Sequence, residues 1–214
     1  ARAFDAQEMR ARSAVLGNVL DDGAGLEVAL DFALDAAQLA VFLASLGRAT
    51  GEDRFTRAAV RAIDFDVAQG VATEDGGLSF PARVEADKVL LPYLETGSAG
   101  VGAACLRVAR LTGEERWAQA LEGIFIDCDR VYAAFAGRAS GLAGIGEFLL
   151  DGLRLTGDER WRRSALRLAA GLRRFALPVA VGTAFPGAGL MRISCDFAAG
   201  SAGVASFLHR LRTG

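Results

Sequence analysis

The feature that most restricts how this chain can fold is a glycine motif, Gly-x-Ala-Gly, which occurs three times in 214 residues. A second motif, Thr-Gly-acid-acid-Arg-aromatic, places its glycine sixteen residues after the first glycine in two of these copies. A degenerate copy begins at Asp35, and a further Thr-Gly pair ends the sequence at Gly214. Such self-similarity predicts a fold of stacked supersecondary units. The glycine motifs occupy 97–100, 141–144 and 200–203, and the second motif occupies 50–55, 112–117 and 156–161.

Each unit reads as a helical hairpin. The stretches after the glycines are apolar nearly all round, which predicts buried inner helices over 101–111, 145–155 and 204–211. The Thr-Gly pair then breaks the helix. Charged and apolar residues next alternate at helical spacing, with Phe55, Trp117 and Trp161 facing inward. This pattern predicts outer amphipathic helices over 53–70, 114–135 and 158–177.

An inner and an outer layer of helices predict an all-α fold, the α/α toroid. Four hairpins are too few to close a toroid, so we expect this chain to be its C-terminal part. Signals for other structure are few. Short extended segments are predicted over 179–185 and 189–194, a helix over 6–20, and an irregular stretch over 72–92 that crosses the mouth of the fold.

Composition excludes several classes of protein. The net charge is -2 and the basic residues, nearly all arginine, are scattered, so no nucleic-acid partner is expected. No uninterrupted apolar run reaches the roughly 18 residues of a membrane span, and we see no signal peptide. Three cysteines without a Cys-x-x-Cys pair predict reduced thiols in a cytoplasmic protein, with Cys105 and Cys195 as small core residues.

These motifs resemble those of a known protein family. The segments ETGSAGVG, SGLAGIGEFLLDGLRLTGDERW and FPGAGLMRISCDFAAGSAGVASFLHRL resemble the C-terminal cyclase domain, lanthionine synthetase C-like, of class III lanthipeptide synthetases. The resemblance covers residues 30–214. It implies that residues 1–214 are the C-terminal portion of that domain, with earlier hairpins and the synthetase's lyase and kinase domains before residue 1. It also implies that ATP or GTP and Mg²⁺ are bound only by that kinase domain.

Zinc-bearing relatives place their ligands just before the glycine turns. The resemblance puts Ala139, Ala198 and Ala199 at ligand positions, and Thr96 where relatives have an acid–base histidine. His209 is the single histidine and, like Cys195, it does not adjoin a turn. Because a structural zinc ion needs about four ligands, we expect no metal and no other cofactor in this domain.

The resemblance implies peptide cyclisation in lanthipeptide biosynthesis. A cysteine thiol of a leader-bearing precursor peptide adds to dehydroalanine or dehydrobutyrine and forms lanthionine or labionin. Without zinc, side chains and helix N-terminal amides near the turns must activate the thiol and steady the enolate. The candidate residues are Glu95, Thr96, Ser140, Asp196, Arg192 and His209, with Asp35 as a weaker one.

Structural roles compete with each of these assignments. Glu95 and Asp196 fit equally as helix caps or partners of Arg192, Thr96 and Ser140 fit as N-caps, and His209 as a half-buried, hydrogen-bonded histidine. The alternative function is a non-catalytic module that binds the precursor peptide or couples the lyase and kinase domains. An α/α-toroid glycosidase is a third reading, which the scarcity of aromatics at the cavity edge disfavours.

Overall fold

The computed structural model describes residues 36–81 and 89–214, so the helix predicted over 6–20 and the candidate Asp35 lie outside the described residues. Seven α-helices dominate this part of the chain and confirm a helical fold. They are α1 (Ala36–Thr50), α2 (Asp53–Ala68), α3 (Ser98–Thr112), α4 (Ala118–Cys128), α5 (Leu142–Thr156), α6 (Glu159–Leu172) and α7 (Ser201–Thr213). None of the described helices combines the length and apolarity needed to cross a bilayer.

The helices form two layers. Helices α1, α3, α5 and α7 pack side by side in an inner row, and α2, α4 and α6 pack against that row from one side. Burial follows the prediction from apolarity, since every residue from 142 to 150 of α5 is buried. Closure of the row into a toroid remains a prediction.

The Thr-Gly turns end three of the inner helices in one repeated way. Gly51, Gly113 and Gly157 adopt left-handed backbone with φ of 73°, 77° and 68°, as glycine readily does at a helix C-terminus. The preceding threonine hydroxyl donates to the carbonyl four residues earlier, at 2.8–2.9 Å, and accepts the amide of the following acidic residue. The turn therefore reverses the chain within very few residues.

The start of the outer helix matches the prediction closely at 158 and not at 114. Asp158 caps α6 by accepting the Arg160 amide at 2.8 Å. In contrast, α4 begins at Ala118, four residues after the predicted start at 114. The reason is a contact with α2, because the Trp117 indole N–H donates to Asp64 Oδ1 at 2.8 Å and Arg116 pairs with the same carboxylate at 3.1 Å.

Both charged turns clamp one hairpin to the hairpin before it. The Arg160 guanidinium reaches both carboxylate oxygens of Glu122 on α4, at 2.8 and 3.1 Å, just as Arg116 reaches Asp64 on α2. The predicted inward aromatics are confirmed, since Phe55, Trp117 and Trp161 are all buried. These turns thus fix the spacing of the outer helices while their aromatics fill the space between layers.

Inner helices interlock through phenylalanines that lie against glycines. Phe148 of α5 packs on Gly102 of α3, and Phe207 of α7 packs on Gly146 of α5. A Cβ on either glycine would come within 2.6 Å of the facing ring. Both phenylalanines are fully buried, and each contributes about 1.5–3 kcal/mol of burial free energy.

Ion pairs tie the C-terminal halves of the inner helices. Asp151 of α5 bridges Arg107 of α3, at 2.8 Å, and Arg210 of α7, at 2.5 Å. Arg210 also pairs with the buried Glu147 at 2.6 Å. The three bridging residues each lie ten positions after their repeat glycine, so the inner row is locked in register at this end.

The strands correct two predictions. The region 72–92 is not merely irregular, because it contributes to an antiparallel sheet of β1 (Val71–Ala72), β2 (Leu78–Pro81) and β3 (Leu90–Leu91). The Leu78 side chain packs on Gly123 of α4. Later, β4 (Leu177–Val179) and β5 (Gly182–Ala184) pair with each other, so the extended segment predicted over 179–185 is in fact part of a hairpin that begins at Leu177. The prediction over 189–194 was wrong for its first part, since a 3₁₀ turn occupies Ala188–Leu190 and Ile193 makes a single bridge to Pro186.

The Gly-x-Ala-Gly turns require glycine because of close backbone contact. The second glycine of each motif lies against the carbonyl oxygen six residues earlier, and a Cβ there would come within 2.5 Å of the oxygens of Leu94, Arg138 and Phe197. The tightest case is Gly144, where the distance to the Arg138 oxygen would be 1.9 Å. Main-chain oxygen cannot swing aside as a flexible side chain can, so the incoming loop must move if a side chain is added.

We expect Gly144→Ala to lower the free energy of unfolding by about 3 kcal/mol, because the new methyl overlaps the Arg138 carbonyl. Gly157→Ala is the matched control. Its Cβ would meet nothing within 4 Å, so only the left-handed φ of 68° costs stability, about 1 kcal/mol. Urea unfolding followed by circular dichroism measures both values, and equal losses for the two variants would contradict the close-contact account.

Candidate functional site

The two ends of the helical layers differ in the length of their loops. At one end, the connections from inner to outer helices are 51–52, 113–117 and 157–158, which are two to five residues long. At the opposite end, the connections from outer to inner helices are 69–97, 129–141 and 173–200, which are 29, 13 and 28 residues long. Long loops on a rigid scaffold commonly carry function, so the end with the glycine turns is the candidate site.

Backbone hydrogen bonds join the three glycine turns into one continuous feature. The Glu95 amide donates to the Ala139 carbonyl at 2.9 Å, and the Ala139 amide donates to the Ala198 carbonyl at 2.7 Å. Each of these residues lies two positions before the first glycine of its motif. We name the segments 94–97, 138–141 and 197–200 the turn ribbon.

The turn ribbon brings together two predicted site residues that are 45 positions apart. The Ser140 hydroxyl donates to Glu95 Oε2 at 2.7 Å. Glu95 is exposed and Ser140 is half-buried, so the carboxylate faces solvent while its partner is anchored. The structural roles suggested for these residues are wrong, because Glu95 pairs with Ser140 rather than Arg192, and the N-cap of α5 is Gly141.

Asp196 belongs to a local turn rather than to the Glu95–Ser140 pair. It accepts hydrogen bonds from the Ser194 hydroxyl and from the Ala199 amide at 2.6 Å. The Ser194 hydroxyl and then the Ala199 amide hold the pKa of this carboxyl below its usual value. Asp196 therefore shapes the loop before α7, and it neither caps that helix, whose N-cap is Gly200, nor pairs with Arg192.

The other predicted residues lie at different distances from the turn ribbon. Thr96 is half-buried within it, between Glu95 and the turn glycine. Arg192 is exposed, and its carbonyl accepts the Gly187 amide at 2.8 Å. His209 lies more than two turns along α7 and is exposed, so the interpretation of it as half-buried was wrong. Its place on α7 separates it from the Glu95–Ser140 pair.

Helix N-terminal amides were expected to stabilise an enolate, and the structure places other acceptors against them. The amides of Ala99 and Gly100 donate to carbonyls seven residues earlier, and the same pattern recurs at Leu142, Ala143 and Ser201. These bonds bind the incoming loop to the helix start. These helix N-terminal amides are therefore occupied by the chain itself.

Sequence reasoning missed Arg138. Its guanidinium lies over the ring of Phe197, with 4.9 Å from Cζ to the ring centroid. Its buried Nε has no hydrogen-bond partner within residues 36–81 and 89–214. Arg138 and Phe197 both lie three positions before a motif glycine, so the repeat register itself was the signal that could have found them. Arg138 thus adds a cation to the turn ribbon, on the side of Phe197 and Gly203.

The alanines that the resemblance puts at ligand positions bring no metal-binding side chains to the turns. Ala139 takes part in the turn ribbon through its backbone, and Ala198 and Ala199 likewise lack donor side chains. Across the described ranges, no group of three or more histidine, cysteine or acidic residues is arranged to hold an ion. The arrangement instead provides a carboxylate, a hydroxyl and a guanidinium.

The cysteines divide into two environments. Cys105 and Cys128 are buried, and burial raises the pKa of both thiols well above the ordinary value. Cys195 is exposed in the loop before α7, so its predicted place in the core was wrong, whereas Cys105 is confirmed there.

No protein-family model matches this chain, and no curated protein matches it.

We expect one fast-reacting thiol in the native protein. Ellman's reagent should modify Cys195 at least about hundredfold faster than Cys105 or Cys128, because buried thiols with raised pKa values are neutral and inaccessible. Cys195→Ser should abolish the fast phase, and guanidinium should expose the remaining two thiols. Two fast equivalents in the native state would contradict this burial.

Proposed function

We propose that this chain is a zinc-independent peptide cyclase domain that forms carbon–sulfur bonds in precursor peptides, as a part of a class III lanthipeptide synthetase. The observation that carries the proposal is the Glu95–Ser140 hydrogen bond in the turn ribbon, at 2.7 Å. It pairs a carboxylate with a hydroxyl at the positions next to the turns, where the resemblance puts the reactive centre.

The proposed reaction is redox-neutral. The thiolate sulfur of a peptide cysteine attacks the β-carbon of a dehydroalanine or dehydrobutyrine, and a C–S bond forms. The π electrons of the C=C bond move onto the carbonyl oxygen as an enolate. Protonation at the α-carbon then restores the carbonyl and completes a lanthionine ring, while attack of the enolate carbon on a second dehydroalanine leads to labionin.

Each part of the site has a role in this scheme. A cysteine thiol has an ordinary pKa of about 8.5, so Glu95 accepts its proton and Ser140 orients the carboxylate. The Arg138 cation favours the thiolate and the enolate over their neutral forms. Phe197 holds the guanidinium in place through the cation–π contact, worth about 0.5–1 kcal/mol at an exposed position.

The proposal includes the surroundings of the enzyme. The substrate is a leader-bearing precursor peptide that holds dehydroamino acids and cysteine. Lyase and kinase domains of the same synthetase, the kinase using ATP or GTP with Mg²⁺, supply those dehydroamino acids. The proposed compartment is the cytoplasm, where reduced cysteines persist.

We expect Glu95→Gln to slow ring closure about hundredfold, the lower end of the contribution of a general base. The measurement follows a synthetic peptide with one cysteine and one dehydroalanine by mass spectrometry, with the rate in buffer subtracted. Glutamine still accepts the Ser140 hydrogen bond, so the local structure is kept. Arg57→Gln, on the outer helix α2, is the control and should leave the rate unchanged.

We expect 1,10-phenanthroline and EDTA to leave ring closure unchanged, because no metal takes part in the proposed steps. Added zinc should likewise give no gain in rate. A loss of activity with chelator that zinc restores would overturn the zinc-independent scheme.

A second candidate function is a peptide-binding or domain-coupling scaffold without catalysis. The exposure of Glu95 favours it, since a general base acts more effectively when its site excludes water. Retained peptide binding with no rate gain over buffer would select the scaffold and overturn the cyclase.

A further inference from the structure

The extension between α6 and α7, residues 173–197, exposes an unusual number of apolar side chains. Val181 at the tip of the β4–β5 hairpin is 98% exposed and Met191 is 86% exposed. Leu177 and Ile193 are also exposed. All three residues of β4 are exposed, whereas Ala184 at the end of β5 is buried. A two-stranded hairpin is marginal alone in water, which argues that something packs on it.

Charge indicates what that partner is. Residues 160–214 contain nine arginines and a single acidic residue, Asp196, whereas residues 1–159 contain 15 basic and 25 acidic residues. Fourteen of the 23 arginines lie before residue 160, so it is the scarcity of acidic residues that makes the C-terminal quarter net positive. This surface repels basic partners and attracts acidic ones.

Several of these arginines already form ion pairs within the chain. Arg160, Arg167 and Arg210 pair with carboxylates of α4, the loop after it, and α5. The pattern differs at the extension, where Arg173 is exposed and makes no ion pair within the described parts of the chain. Its neighbour Arg174 contacts the Val131 carbonyl at 3.4 Å. Two cationic side chains thus flank the start of the apolar hairpin.

Hydrogen bonds attach the extension to the turn ribbon. The Ser201 hydroxyl accepts the Phe185 amide at 2.9 Å, and the Ser201 amide donates to the Ser194 carbonyl at 2.8 Å. These bonds hold residues 185–194, which follow the hairpin, against the start of α7.

We propose that the extension, which we name the basic–apolar face, is the docking surface for an acidic amphipathic segment of a peptide. Acidic side chains of that segment pair with Arg173 and Arg174, and its apolar side chains cover Leu177, Val181 and Met191. The identification of the docked segment as part of the precursor peptide rests on the proposed function. The affinity for acidic amphipathic peptides does not.

The test uses the full chain and a fluorescein-labelled amphipathic helical peptide of about five turns, with glutamate on its polar face and leucine on the other. Fluorescence anisotropy gives its Kd. The matched probe replaces every glutamate with lysine. We expect the acidic probe to bind at least about tenfold tighter, and to weaken as salt is raised through the range where the Debye length falls below about 10 Å. Equal binding of the two probes would overturn the proposal.

Two variants locate the surface. The double substitution Arg173→Glu with Arg174→Glu should raise the Kd of the acidic probe at least about tenfold, because two attractive charge interactions become repulsive. Val181→Asp with Met191→Asp should do so as well, and these exposed positions do not endanger folding. Arg57→Glu with Arg110→Glu is the control with the same change in charge, on exposed positions of α2 and α3. An equal loss in the control would show long-range attraction alone and overturn the assignment.

A lipid surface is the competing occupant. Vesicles of phosphatidylglycerol that bind the chain while the acidic probe does not would overturn the peptide assignment. The wild-type chain also separates the two proposals. Probe binding that the variants abolish, without any ring closure, would sink the cyclase and leave the docking surface, whereas ring closure with no preference for the acidic probe would sink the docking surface alone.

Discussion

The contact between a loop carbonyl and a bare glycine Cα is the constraint on which the rest of this structure depends. Because Gly144 has no Cβ, the Arg138 carbonyl can lie against the start of α5, and the amides of the first helical turn can bind the same loop. The loop is then held in a position where the loops before α3 and α7 can form backbone hydrogen bonds with it. The turn ribbon, the Glu95–Ser140 pair and the stacked Arg138 all follow from this approach.

The inner helices and the inward aromatics could be predicted from sequence because their causes are local. Glycine, threonine and apolar runs act over a few residues, so α3, α5 and α7 extend only one to three residues beyond their predicted bounds at either end. The late start of α4 could not be predicted, because it depends on Asp64, which is 53 positions before Trp117. The Glu95–Ser140 pair likewise exists only after two hairpins have packed together.

Exposure was harder to predict than helicity. Cys195 was expected in the core and His209 was expected to be half-buried. Both are exposed, because Cys195 lies in a loop fixed by backbone hydrogen bonds and His209 lies on the solvent side of α7. The turn ribbon uses the main chain of Ala139 and Ala198 rather than their side chains. The hydrogen bonds of the turn ribbon therefore do not depend on the side chains at these two positions.

The two ends of the helical layers differ in how strictly the lengths of their loops are fixed. Turns of two to five residues set a fixed pitch from one hairpin to the next, and a single insertion there would break the charge clamps on α2 and α4. The loops at the other end differ in length by more than twofold, from 13 to 29 residues, although each ends at the same kind of glycine contact. A new binding surface can therefore arise through a change in the length or sequence of one long loop, without a change in the packing of the helices.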